Sequence, residues 1–493
     1  MGGQTAIEVG NRKQLFIDRR FIEREHGITL RVNPPVKAET IALRPEKPWE
    51  VMRTGDYTTV IEDGGVYRMW YDAFVGLDRY QEVPRALAYA ESTDGIEWKR
   101  VNVNLFDWRG HRENNIVMPG GDGCVMRDPN GKPDERYKAV VAIFANSLWP
   151  ESQGAHWDLS GGAVYLCTSP DGIRWKRVDQ PASPMFHDSQ NNLLWDDRIG
   201  RYVAYLRTHE RGRTVGRIEL DDPTQTPWPF RKPPADVKPN EHGLYLCATH
   251  GEYDIALATD EMDPPDTDVQ TCPIVKYPWA QDVYLGLCAL YRHYSETQPG
   301  VFRNDGPNDI HLVVSRDGAT WTRPQRKAYI GLGPLGGWDA GCAWPILGMI
   351  RRGDEILQYY SGTSHTHGDY TPETVGQGGV RAVRQRLDGF VSADADYHGG
   401  ALVTPLLRFD GSKLVLNVDA GATGFLKVEI LDEADRPIEG FSLKDAVEID
   451  RNQIAAEAAW SSGKNVGQLA GRPVRLRFSG RGFRLFAFQF EQS

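Results

Sequence analysis

Five aspartates recur at one register of the chain. Asp56, Asp122, Asp188, Asp282 and Asp339 each stand ahead of an apolar run that reads as a core strand. Desolvating a carboxylate is costly unless it is paired or wet, so a charge repeated at strand starts needs a reason. Carboxylates held close together can share acid–base work, one giving a proton while the other takes one or attacks. Crowding like charges also raises at least one pKa, which would supply the acid. Asp56, Asp188 and Asp339 are the expected catalytic set, with Asp122 and Asp282 next to them as binding groups. Other polar residues fall where the following strand returns to the same face: Asp72, Asn146, Arg207 with His209 and Glu210, and His365 with His367. Arg207 has the planar fork that holds a hydroxyl or a carboxylate bidentately. His365 and His367, two residues apart, suit ligand hydroxyls better than a metal, and no metal site is expected. Trp338, beside Asp339, offers a stacking face.

These residues need a scaffold that brings distant strand starts together. The sequence contains S-x-D-G-x-x-W-[KT]-R three times, as "STDGIEWKR" (92–100), "SPDGIRWKR" (169–177) and "SRDGATWTR" (315–323), with a worn copy at 220–230. Asp-Gly makes a tight turn between strands, and the Trp that follows packs as an anchor. Ahead of each copy lies a hairpin of two apolar strands, and five such hairpins are present, with almost no helical periodicity between them. Repeated four-stranded antiparallel units predict an all-β fold, a five-bladed β-propeller over residues 1–398. The early strand "KQLFIDRRFIE" is expected to close the ring. From residue 399 short alternating strands predict a C-terminal β-sandwich to residue 493, with a brief helix over 445–460. In a propeller the first strand of each blade lines the axis, so five aspartates would ring one mouth of an axial funnel. The longest loops, including "DAFVGLDRYQEVP" and "NSLWPESQGAHWDLSGG", fall on that face.

Composition narrows the partners. The net charge of −10 comes without a basic block, so nucleic acid and anionic membrane are poor partners. The 14 Trp and 20 Tyr residues fit β-rich cores and, at turns, platforms for sugar rings. Six scattered cysteines show no CxxC spacing and read as buried free thiols. The first residues hold no apolar h-region, and no stretch approaches the length of a membrane span. A cytoplasmic location is therefore expected, an export signal already removed being the alternative. Oligomeric state is left open. No cofactor is required, and a structural Ca²⁺ held by carboxylates on the axis is compatible with the pattern.

The repeats, the Asp register and segments such as "LFIDRRFIE", "HDSQNNLLWDDRIGRYVAYLR" and "RLDGFVSADA" resemble the five-bladed propeller glycoside hydrolases of families 32 and 43. The similarity is strongest to bacterial proteins described as glycosyl hydrolase family 32 N-terminal domain-like. It covers nearly the whole chain and implies cleavage of a glycosidic bond, often of a furanoside, by paired carboxylates. Asp56 and Asp188 match the positions of a family 43 base and modulator. The family 32 Trp-Met-Asn-Asp-Pro-Asn-Gly and Glu-Cys motifs are absent, and no Glu occupies the later registers. The acid then falls to Asp282, Asp339 or Glu210, and Asp339 is the first choice. "MRDP" (126–129) imitates an invertase motif, but Asp-Pro-Asn-Gly is turn chemistry and Asp128 reads as structural. The rival readings are a non-catalytic carbohydrate-binding propeller and a glycan lyase.

Overall fold

The computed structural model describes residues 5–51, 53–74, 85–119, 121–143, 163–185, 187–210, 212–233, 235–238, 251–296, 303–369 and 376–492. The described chain is almost entirely β, with three short 3₁₀ turns and no helix long and apolar enough to cross a membrane.

Five antiparallel groups of strands, called sheets below, follow one another among the described residues. The fourth and fifth are continuous through a single parallel pairing of Asn308 with Cys342. The first runs Thr59–Asp63, Val66–Phe74, Arg85–Ser92, Lys99–Arg100, and the second Gly121–Arg127, Tyr137–Ile143, Ala163–Ser169, Lys176–Arg177. The third is Asn192–Asp196, Arg201–His209, Arg213–Leu220, Asp254–Leu257. In the fourth, Thr267–Thr271 and Ile274–Lys276 both pair with Tyr284–Arg292, and Asn308–Ser315 and Trp321–Thr322 follow. The fifth runs Cys342–Pro345 with Ile350–Arg352, Glu355–Thr363 and Gly379–Arg386, and its last strand is Val36–Leu43.

The sheets pack in cyclic order. One apolar cluster joins first to second, others join second to third, third to fourth and fourth to fifth, and another joins fifth back to first. The repeated turn motif makes several of these seams. In each copy the Ser hydroxyl accepts the Gly N–H, while the Asp carboxylate accepts the next two backbone N–H groups. The glycine carbonyl then accepts a hydrogen bond from the preceding sheet: Tyr359 Oη to Gly95, Trp70 Nε1 to Gly172 and Tyr205 Oη to Gly318, each at 2.6 Å. The docking is too close for a side chain. Gly172 has φ +77°, and a Cβ there would lie 2.5 Å from the Trp70 ring.

The ring-closing strand is Val36–Leu43 rather than "KQLFIDRRFIE". Gln14–Leu15 instead pairs with Phe483–Glu491, because Phe16 and Phe21 pack against Phe478 and Phe488. Two further sheets enclose one large core: Asn452–Glu457, Lys413–Asp419, Phe483–Glu491, Val391–Ala395, Ile28–Val32 in one, and Arg24–His26, Gly400–Val403, Arg475–Arg481, Phe425–Leu431 in the other. Chain from both sides of residue 398 thus contributes to them. The helix expected over 445–460 is replaced by the strand Asn452–Glu457.

Candidate active site

The first strands of the five sheets meet at the centre. Thr58 O accepts from Gln190 Nε2 at 2.6 Å and from Leu347 N at 2.9 Å, and Ser189 Oγ donates to Thr271 Oγ1 at 3.1 Å. These contacts join the first sheet to the third and fifth and the third to the fourth. At one end of that junction lies a polar well.

Asp56 and Asp72 form its first wall. The hairpin places them side by side, with Gly55 N donating to Asp72 O at 2.8 Å, and both carboxylates are buried. Arg85, on the third strand of the same sheet, lies 3.8 Å from Asp72 and 5.4 Å above the Tyr57 ring. Tyr57 Oη points across the well to Asp188 Oδ1 at 3.4 Å. Asp188 is partly exposed. Burial pushes its pKa up, but the charges of Arg85, Arg207, Arg213 and His367 outweigh that and hold it below the ordinary carboxylate value.

The opposite wall comes from the third and fourth sheets. Arg213 Nη1 and His293 Nε2 each lie 3.1 Å from Asp268 Oδ2. Burial opposes ionisation of Asp268, yet His293 and Arg213 keep its pKa low. Burial likewise lowers His293, and its hydrogen bond to Asp268 more than reverses this and raises it. Tyr291 lies beneath Arg213 at 5.2 Å, and its hydroxyl shares a hydrogen bond with His367 Nδ1 at 3.3 Å. Arg207 is buried, with its Nη2 donating to Gln270 O.

The expected residues divide on this geometry. Asp56, Asp188, Arg207 and His367 share the well. Asp339 heads the fifth sheet but turns into the seam with the fourth, where Lys37 Nζ and Tyr360 Oη donate to its Oδ2 at 2.6 and 2.7 Å. Burial raises its pKa, and Lys37 and Tyr360 reverse this, so it is an ion-paired carboxylate rather than a proton donor. Trp338 goes with it, packed 5.8 Å from Tyr360 with Arg381 4.7 Å from its ring centre.

Asp282 does not head a first strand. It occupies the turn between Ile274–Lys276 and Tyr284–Arg292, at the far end of the fourth sheet, with φ +50° and Arg20 at 3.3 Å. Its place at the mouth is taken by Asp268. His365 is tied to its own loop through Nδ1 and Thr366 O at 3.0 Å, His209 is half-buried at the end of Arg201–His209, and Glu210 is exposed in the turn beyond it. The backbone of Asp122 lies in Gly121–Arg127, at a strand start. Asn146 and most of the two long loops fall outside the described residues.

Asp128 is structural: Lys138 Nζ at 2.6 Å and Tyr202 Oη at 2.9 Å satisfy it. Among the described residues the cysteines are buried and form no disulfide, and no group of three or more His, Cys, Asp or Glu side chains is arranged to hold a metal ion. The sequence reading missed Asp268, Arg213, Tyr57, Arg85 and His293. A register that started the fourth hairpin at "TDVQTCPIVK" would have found the first of these.

No protein-family profile matches the chain. It is 27% identical over 173 residues to uncharacterized protein MT1551 of Mycobacterium tuberculosis (strain CDC 1551 / Oshkosh), a match covering 34% of this chain and 49% of that protein. The chain thus spans about half the length of the curated relatives it matches. It is similar to solved glycoside hydrolases. One described simply as a glycoside hydrolase has TM-score 0.45 and 16% identity, over 72% of this chain and 92% of that one. A glycosyl hydrolase from Bacteroides ovatus gives 0.44 and 14%, over 72% and 94%. The exo-inulinase of Aspergillus awamori gives 0.40 and 11%, over 93% and 98%.

Proposed function

We propose that the protein is a glycoside hydrolase of carbohydrate metabolism that degrades an oligosaccharide or polysaccharide in this well. The five cyclically packed sheets are read as the blades of a five-bladed β-propeller, and the two C-terminal sheets as a β-sandwich. The observation that carries the proposal is the contact between Tyr57 Oη and Asp188 Oδ1. It brings a carboxylate ahead of the third sheet against the wall that holds Asp56 and Asp72.

Asp56 is assigned as base or nucleophile. Asp188, kept ionised by the surrounding guanidinium groups, opposes the positive charge that builds on the sugar ring during bond cleavage. Asp268 orients Arg213 and His293. Asp339 is left out of this set because Lys37 and Tyr360 occupy it.

The test is release of reducing sugar from a panel of furanosides and pyranosides by the wild type, Asp56→Asn and Asp188→Asn. Turnover by the wild type that both variants lose is expected. Binding without turnover by the wild type would make this a recognition protein. One observation favours elimination as a second reading: the Tyr57 hydroxyl, under Arg85, is placed as a lyase base would be. An unsaturated product absorbing in the ultraviolet would establish that reading instead.

A further inference from the structure

Two of the three guanidinium groups in the well have carboxylate partners. Arg85 lies 3.8 Å from Asp72, and Arg213 lies 3.1 Å from Asp268 while its Nη2 donates to Asn304 Oδ1 at 2.9 Å. Arg207 differs. It is only 5% exposed, its Nη2 is spent on the carbonyl of Gln270, and its Nε has no hydrogen-bond partner. Among the described residues no carboxylate forms an ion pair with it, and Asp188 and Asp268 act on it only at longer range. Holding a buried charge without a paired anion is costly. Such a charge is retained where a ligand brings the anion. Both walls carry carboxylates and guanidinium groups, Asp56, Asp72 and Arg85 on the first sheet and Asp188, Arg207, Arg213 and Asp268 on the third and fourth, and Arg207 is the guanidinium among them without an ion-pair partner among the described residues.

We propose that the glycan bound in this well carries a carboxylate, as in a uronic acid residue, and that Arg207 is the specificity-determining residue that binds it. The planar fork of arginine matches a carboxylate through two parallel N–H···O bonds, and a neutral hydroxymethyl group at the same position would leave the guanidinium unpaired. The inference rests on the glycan reading of the site, and its test separates the two.

Oligogalacturonides, alginate oligosaccharides and glucuronoxylan oligosaccharides are titrated into the full chain by calorimetry, each before and after chemical reduction of its carboxyl groups. At least one acidic oligosaccharide should bind tenfold or more tightly than its reduced form. Arg207→Met should abolish that preference, the acidic and reduced forms then binding alike, and Arg207→Lys should retain part of it. Melting curves establish that each variant is folded. If Arg207→Met does not fold, the wild-type ratio and the lysine variant decide. Equal binding of acidic and reduced forms, or turnover confined to neutral glycans, overturns the inference and leaves the glycan reading standing. No binding of any form by the wild type overturns both.

Discussion

The third and fifth sheets both begin just after an aspartate, and the two aspartates lie in different surroundings. Asp188 stands in the open well, facing the Tyr57 hydroxyl and the charges of three arginines. Asp339 is 3% exposed in the seam between the fourth and fifth sheets, held by Lys37 and Tyr360. Both pKa values are depressed by neighbouring positive charge. At Asp188 that charge surrounds a partly exposed carboxylate with no dedicated ion-pair partner among the described residues, so it is ionised and can meet a ligand. At Asp339 it is a dedicated counter-ion, so the carboxylate is ionised and already used. Register in a repeat therefore tells which end of a sheet a residue occupies, and its neighbours tell what the residue does.

The difference can be broken by substitution. The largest effect is expected from Asp188→Asn, which should lower turnover about 10²–10⁴-fold with little change in melting temperature, measured by reducing-sugar release and calorimetry. Asp339→Asn should do the reverse. Removing one partner of a buried pair costs several kcal/mol, and because Lys37 is partly exposed the expected loss is about 2–3 kcal/mol in urea unfolding. The pH dependence gives the sign. A depressed carboxylate stabilises the fold above its unfolded pKa of about 3.9 and ceases to do so as pH falls through the lower folded value. The penalty of Asp339→Asn should thus be constant near neutrality and fade in acid.

A third prediction concerns the seams that hold the well's walls. Gly172→Ala places a Cβ 2.5 Å from the Trp70 ring at a positive φ, and a loss of about 2 kcal/mol or more is expected in the same unfolding assay. The smallest effect should come from Asp394, in a surface cleft of about 460 Å³ between the strands Ile28–Val32 and Phe483–Glu491. Burial pushes this carboxyl up to about 6, despite the hydrogen bond from Ser392 and the nearby Arg484 and Arg31. A raised acid binds its proton more tightly in the folded state, so stability falls as pH rises from the unfolded value towards and past 6. Asp394→Asn should raise stability by about 1–2 kcal/mol at pH 8 and give no gain near pH 4. Asp394 thus supplies a contrast to both Asp188 and Asp339, a carboxylate that positive neighbours fail to compensate.

The sequence announced what local chemistry determines. The S-x-D-G turns could be read because Ser92, Asp94 and Gly95 bond to groups within five residues. The direction of Asp339 could not, because Lys37 lies 302 residues away and reaches it only when Val36–Leu43 completes the fifth sheet. Asp268 was hidden by a bulge. The first strand of the fourth sheet shifts register between Val269 and Thr271, ahead of Pro273, so the unbroken run at 284–292 looked like the first strand and drew Asp282 into the ring. Asn452–Glu457 is rich in alanine and reads as helical in isolation, but pairing with Lys413–Asp419 overrides that preference.

The central claim is that chemistry belongs to the carboxylates of the well and not to every aspartate that heads a sheet. The most direct measurement compares Asp188→Asn with Asp339→Asn at equal concentrations of folded protein, on the glycan the wild type cleaves fastest. The account predicts a loss of at least about 10²-fold for Asp188→Asn and a rate within a few-fold of wild type for Asp339→Asn. Full activity in Asp188→Asn, with activity abolished in folded Asp339→Asn, would contradict it.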